Sequence, residues 1–261
     1  MNIPKELLDS DLVFHFTKPY IAMENILHEN NIRLSSLINM NDPYEYKIVS
    51  SGLSLLGSIS QETASESLSM LRNTILYKSK ILSLVRSKEK NIADAYQLVF
   101  TKPRLWAQYA EAQYGVCLIF SLNAFLEELK QSYPELTVYH NYVEYNLSSN
   151  KRNSKTHLKC STSRTLDENI RTHVNANQKD IYFRKYEDFE DESEYRIVLI
   201  DWNDSRNNDI YINIQKIIRG VILGERFHKV YEELIRNLAT NLNVNLYRIL
   251  YSTSEVVLKK Y

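Results

Sequence analysis

The chain has 261 residues, 44% hydrophobic and 25% charged, with 32 basic side chains against 32 acidic ones. Such a composition builds one substantial core over 1–261 as a single domain, excludes a disordered or fibrous chain, and gives no bulk electrostatic draw to nucleic acid or membrane. Five glycines leave no room for a dinucleotide-binding glycine fingerprint, and GLSLLG lacks the Lys-Ser/Thr of a phosphate loop.

In chain order, the first element is LVFHFT, residues 12–17. A strand here puts Leu12, Phe14 and Phe16 on one side and Val13, His15 and Thr17 on the other, a face too polar to be core alone. KPYIAMENIL has helical spacing at Ile21, Ile26 and Leu27, and IRLSS reads as a short strand or extended exit. Asn41, Asp42 and Pro43 cluster turn-forming residues. Residues 61–86 carry an apolar helical face through Leu68, Leu71 and Ile75, although ILSLV at the end reads equally well as a separate strand.

KPRLWAQYAEAQYGVCLIFS predicts a short helix bearing Trp106 and Tyr109, a left-handed cap at Gly115, and a buried strand VCLIF. TVYHNYVEYN has strand-like residues, and the polar run after it is a loop. A helix is expected from about Leu166 to Tyr186, then an acidic stretch and the strand ESEYRIVLID. KIIRGVILGERF reads as a strand and a turn, Phe227 to Leu238 as an amphipathic helix, and VNLYRILYS with EVVLKK as a closing hairpin. The expected class is α+β, with a mixed or antiparallel sheet and a helical insertion over about 55–100.

The strand ESEYRIV places Glu192, Glu194 and Arg196 on one face, with successive side chains roughly 7 Å apart. Its bland alternative is an exposed strand end with solvated charges and an Arg196 salt bridge. For His15 the bland alternative is an imidazole satisfied by backbone; for Thr17, a cap on the next helix; for Trp106 and Tyr109, core. Cys117 and Cys160 form no zinc-ligand pattern, no His-x-x-x-His pair is present, and the N-terminus lacks an apolar leader, so a reducing cytoplasm is the expected compartment. A metal-dependent nuclease would have to use Asp42, Glu45 and the two late glutamates as an acidic cluster.

Five motifs, FHFT, NMNDPYE, LWAQYA with YGVCLIF, EDESEYRIV and VILGERF, occur here in order. They resemble the bacterial domain-of-unknown-function family 2971, over roughly residues 12–228. The family commonly has Trp near Phe189 and Met-Trp at Leu105-Trp106. The first strand and helix also look like those of ADP-ribosyltransferase-like domains, particularly the DNA-modifying toxin type.

That second resemblance implies an NAD-consuming ADP-ribosyltransferase or NAD glycohydrolase, of the kind that serves as a toxin or antiphage effector. Its NAD is a substrate, and its acceptor would be protein, nucleic acid or water, with an antidote or defence-system protein as partner. The resemblance implies His15 on the ribose side, with Thr17, Asn41 and Arg196 around the cofactor. Tyr109 or Tyr44 would be the stacking aromatic, and Glu194 or Glu192 the catalytic carboxylate. A non-catalytic domain that binds nucleotide or nucleic acid at the same cleft is the alternative from a different class.

Overall fold

The structure, a computed structural model, describes residues 3–40, 45, 55–56, 61–87, 98–147, 158–159, 161, 163–203, 209–253 and 255–261. Runs of β-branched, aromatic and leucine residues form strands β1 (Leu12–Thr17), β2 (Asn31–Ser36), β3 (Leu55–Leu56), β4 (Ser79–Val85), β5 (Val116–Ser121) and β6 (Thr137–Tyr142). Then follow β7 (Glu144–Leu147), β8 (Leu158–Lys159), β9 (Arg184–Tyr186), β10 (Glu194–Ile200), β11 (Ile210–Asn213), β12 (Ile218–Leu223), β13 (Asn245–Tyr251) and β14 (Val256–Lys260). The α-helices are α1 (Gln61–Asn73), α2 (Pro103–Tyr109), α3 (Leu122–Ser132), α4 (Leu166–Tyr182) and α5 (Glu232–Asn241), with a π-helical turn at Ile21–Leu27.

The result is a mixed α+β fold around a ten-stranded sheet ordered β11-β2-β4-β1-β5-β12-β13-β14, in which β10 pairs with both β4 and β6. Within this sheet the described pairing is antiparallel except that β13 lies parallel to β12, with α5 between them in the chain, and β14 closes the expected hairpin. Among the described residues of 55–100, read from sequence as a helical insertion, 61–78 is continuously helical. Ser79–Val85 is the interior strand β4, with β10 along its whole length. The helix expected to reach Tyr186 stops at Tyr182, and residues 184–186 form β9 beside β7. A capping box at Thr165 and Glu168 starts that helix, satisfying two backbone donors reciprocally. No helix among the described residues is long and apolar enough to cross a membrane.

One face of the sheet carries Val13, Leu118, Phe120, Tyr195 and Ile197 under α3, α5 and the π-helical turn. On the other face two apolar clusters lie apart. Leu12, Phe14, Phe16 and Val85 pack with Trp106 in the first; Ile81, Val198 and Ile200 pack beneath α1 and α4 in the second. Glu194 opposite Val85 and Arg196 opposite Ser83 fall between those two clusters.

The sheet also splits at β4. Its second edge is shared by β1, joined only at Phe14 and Val85, and β2, joined at Ile81 and Lys80. Between those points the strands diverge, and the candidate site opens there.

Gly115 differs from its expected role. Its backbone is not left-handed; the positive φ values fall on Glu111, Ala112 and Gln113 just before it. A Cβ on Gly115 would stand 2.3 Å from the Thr17 carbonyl oxygen, and one on Gly224 would stand 2.1 Å from that of Gln113. Gly224 N–H donates to Gly115 O and Arg226 N–H to Gln113 O, so the glycines of YGVC and VILGERF allow two chain segments to touch. That junction anchors the end of α2, the helix that carries Tyr109.

Candidate functional site

At the divergence of β1 from β4 lies a cavity of about 840 Å³. His15, Phe14 and Phe16 line it from β1, Ser83 from β4, Tyr109 from α2, and Glu45, Lys185, Glu192 and Glu194 from the remaining wall. Its size is within the roughly 300–1,000 Å³ of small-molecule and cofactor sites.

The carboxylates are not solvated. Glu192, Glu194 and Arg196 are 3%, 4% and 1% exposed, which removes the reading of ESEYR as a charged strand end in water. Glu192 is also not on the strand: it ends a 3-10 turn, and the left-handed Ser193 (φ 49°) redirects the chain so that β10 begins at Glu194. Both carboxylates still converge on one cation. Lys185 Nζ donates to Glu192 Oε2 at 2.7 Å and Glu194 Oε2 at 3.4 Å, and it lies 4.3 Å from the centre of the Phe189 ring.

Arg196 closes the network from behind. Its Nε donates to Glu194 Oε1 at 2.6 Å, and its Nη2 donates to Glu194 Oε2 at 3.0 Å and to Glu45 Oε1 at 2.8 Å. Nη1 donates to the Tyr182 carbonyl at 2.9 Å, tying the network to the end of α4. From the side, Tyr109 Oη donates to Glu192 Oε1 at 2.6 Å.

Burial by itself would raise the Glu194 carboxyl, but Arg196 and Lys185 outweigh it and bring Glu194 down to about 2. Burial would lower the Lys185 ammonium, yet Glu194 and Glu192 hold it above its ordinary value. For Glu45 burial wins: its carboxyl is raised, with Arg196 offsetting only part of the cost. Burial and then the bond to Glu192 push the Tyr109 phenol upward, so it remains a donor.

His15 reaches the cavity by a different route from the expected one. Phe14, Val85 and Glu194 share one sheet face through the registers of β1, β4 and β10, whereas His15, paired with Leu118, belongs to the other. The two are therefore not opposed across a surface cleft; the split in the sheet brings both to one cavity. His15 Nδ1 spans the split to the Ser83 carbonyl at 3.2 Å. A carbonyl only accepts, so Nδ1 carries the proton, and burial, outweighing that bond, lowers the ring's pKa and favours the neutral form. Nε2 is then an acceptor.

Thr17 pairs with Val116 and is buried, but it does not line the cavity. Arg196 lies behind the wall. Trp106 is core: it is fully buried, donates to the Phe100 carbonyl at 2.7 Å and meets Phe16 edge-on. Asn41, Asp42 and Tyr44 lie outside the described residues, as does Cys160.

Lys185 was missed from the sequence because it falls where a polar helix end was expected. The usable signal was FRKY followed at once by the acidic run EDFEDE, a cation beside carboxylates after an aromatic. Lys185 also bears on metal chemistry, because its ammonium stands between the carboxylates that a shared ion would need. Among the described residues no cluster of three or more His, Cys, Asp or Glu has the form of a metal site.

With this geometry in view, the comparison with known families is specific. Residues 105–197 match the family described as a protein of unknown function, DUF2971. The matched segment runs from Leu105 in α2 to Ile197 in β10 and holds Tyr109, Lys185, Glu192, Glu194 and Arg196. FHFT, NMNDPYE and VILGERF lie outside the matched residues. No curated protein and no solved structure matches the chain significantly.

Proposed function

We propose that the chain breaks the nicotinamide–ribose bond of NAD and passes ADP-ribose to a macromolecular acceptor or to water, on a fold of ADP-ribosyltransferase-like type. One observation carries this reading: His15, Tyr109, Glu192 and Glu194, drawn from three distant parts of the chain, line a single cavity. On one wall Glu45, Glu192 and Glu194 meet the Lys185 ammonium, with Arg196 behind them, and Glu29 and Arg33 also line the cavity. Such a wall favours a cationic, aromatic group such as the pyridinium of NAD, with Phe14, Phe16 and Tyr109 supplying apolar contact.

The chemistry fits ionised carboxylates. As the C1′–N bond breaks, its electron pair goes to the ring nitrogen and neutral nicotinamide leaves. Positive charge then develops on the ribose, and Glu194 or Glu192 stabilises it. A hydroxyl, amine or water adds at C1′ and releases its proton to solvent. Arg196 and Lys185 have a positioning role: they keep Glu194 charged in a buried place, and Lys185 also holds Glu192. Tyr109 orients Glu192, and His15 Nε2 accepts from a ribose hydroxyl.

A second reading, a domain that binds a nucleotide without turnover, is favoured by the hydrogen bonds that already occupy both oxygens of Glu192 and of Glu194. Incubation with labelled NAD and a cell lysate separates the two. Nicotinamide release with label transfer supports the transferase, release alone supports the glycohydrolase, and binding without release supports the second reading. A toxin or antiphage role, with an antidote partner, belongs to the first proposal and would appear as growth arrest on expression.

A further inference from the structure

Glu45 is the carboxylate of the network with an oxygen left over. Each oxygen of Glu192 and of Glu194 accepts at least one hydrogen bond. On Glu45, Oε1 accepts from Arg196 Nη2 at 2.8 Å and lies 4.0 Å from Lys185 Nζ, while Oε2 has no hydrogen-bond partner among the described residues. The side chain is nine-tenths buried, at 7% exposure, and lines the cavity. An acceptor shut away from water and left unpaired is costly, so a bound molecule that supplies a donor at that point gains what the free protein lacks.

The surroundings restrict that donor. Glu192 and Glu194 share the same wall, so a negatively charged group at Glu45 would meet three carboxylates against the two cations of the network, Lys185 and Arg196, both already paired to them. A neutral N–H donor meets no such repulsion. On the NAD reading above, the group that carries one next to the scissile bond is the carboxamide of the nicotinamide ring.

We propose that Glu45 is the specificity-determining residue of the cavity, its Oε2 accepting the carboxamide N–H of the substrate and thereby selecting the nicotinamide dinucleotide over its nicotinic acid counterpart. This assignment rests on the NAD reading but is separable from it. Glu45 touches the leaving ring and takes no part in breaking the bond.

The test is calorimetric binding of NAD and of nicotinic acid adenine dinucleotide to the wild-type protein, then to Glu45→Gln. Loss of one hydrogen bond to a charged group predicts that wild type binds the acid about ten- to a hundredfold more weakly than the amide. In Glu45→Gln the amide group turns an N–H toward the cavity, keeps its oxygen for Arg196, and narrows the gap to about threefold or less. Equal wild-type affinities overturn the assignment, with no variant needed, as does a full gap retained by a folded Glu45→Gln. If the wild type binds neither dinucleotide, the NAD reading itself falls and takes the assignment with it, an outcome distinct from binding without discrimination.

Discussion

Replacing Arg196 with methionine tests the network that holds the site. The guanidinium is 1% exposed and donates four hydrogen bonds, two to Glu194, one to Glu45 and one to the Tyr182 carbonyl. Methionine fills similar volume and removes all four. Glu194 would keep Lys185 at 3.4 Å, and Glu45, among the described residues, the same ammonium at 4.0 Å, so a buried carboxylate loses its main compensation. Breaking a buried pair from one side costs about 3–5 kcal/mol. At roughly 2–4 °C per kcal/mol for a chain of this size, the midpoint of thermal unfolding should fall by on the order of 10 °C. The companion Arg196→Met/Glu194→Gln removes the stranded charge and should be more stable than the single variant by at least about 1 kcal/mol, measured by urea unfolding. A single variant within about 1 kcal/mol of wild type, or a pair whose effects simply add, would refute the reasoning.

Tyr109→Phe removes one donor to a charged carboxylate and should lower stability by about 1.5–3 kcal/mol in denaturant titration, with α2 still folded by circular dichroism. Gly115→Ala should destabilise by at least about 1–3 kcal/mol, because the new Cβ meets the Thr17 carbonyl and backbone must shift; an unchanged midpoint would contradict that contact. Glu194, lowered in the folded state to about 2, contributes stability that is present above its unfolded value and is lost as pH falls from the ordinary carboxylate range toward that value. The raised Glu45 acts in the opposite sense: its contribution is present below its unfolded value and is lost as pH rises through the folded one. Urea unfolding between pH 5 and pH 2.5 should therefore show a shallower acid loss for Glu194→Gln than for wild type, and parallel curves would tell against the Arg196–Glu194 pair.

What the sequence revealed follows the range of its signals. Short apolar runs mark β1, β5, β10 and the final hairpin because each strand is covered on at least one face, and the pairing of Tyr251 with Val256 leaves only a short turn to find. His15 stands out because it interrupts such a pattern, and Glu192 and Glu194 because they stand just before or at the start of an apolar strand, whereas Tyr109 lies on a helix and is singled out by the resemblance. Three things needed long-range register. The face on which His15 lies depends on Phe14 meeting Val85, a partner 71 positions away. Lys185 looks like a solvated helix end until β9 turns it toward Glu192. The burial of Arg196 depends on Ser83 across the sheet and Glu45 far along the chain, since a charged side chain on a strand reads as exposed unless its partners are known.

The proposed role of ionised Glu194 in cleaving NAD is tested by the rate of nicotinamide release by wild type and Glu194→Gln, with NAD affinity measured in parallel. Removal of one well-placed electrostatic stabiliser predicts a rate lower by roughly 10²–10³ while NAD still binds. Equal rates for the two proteins, or no nicotinamide released by a wild type saturated with NAD, would contradict the claim.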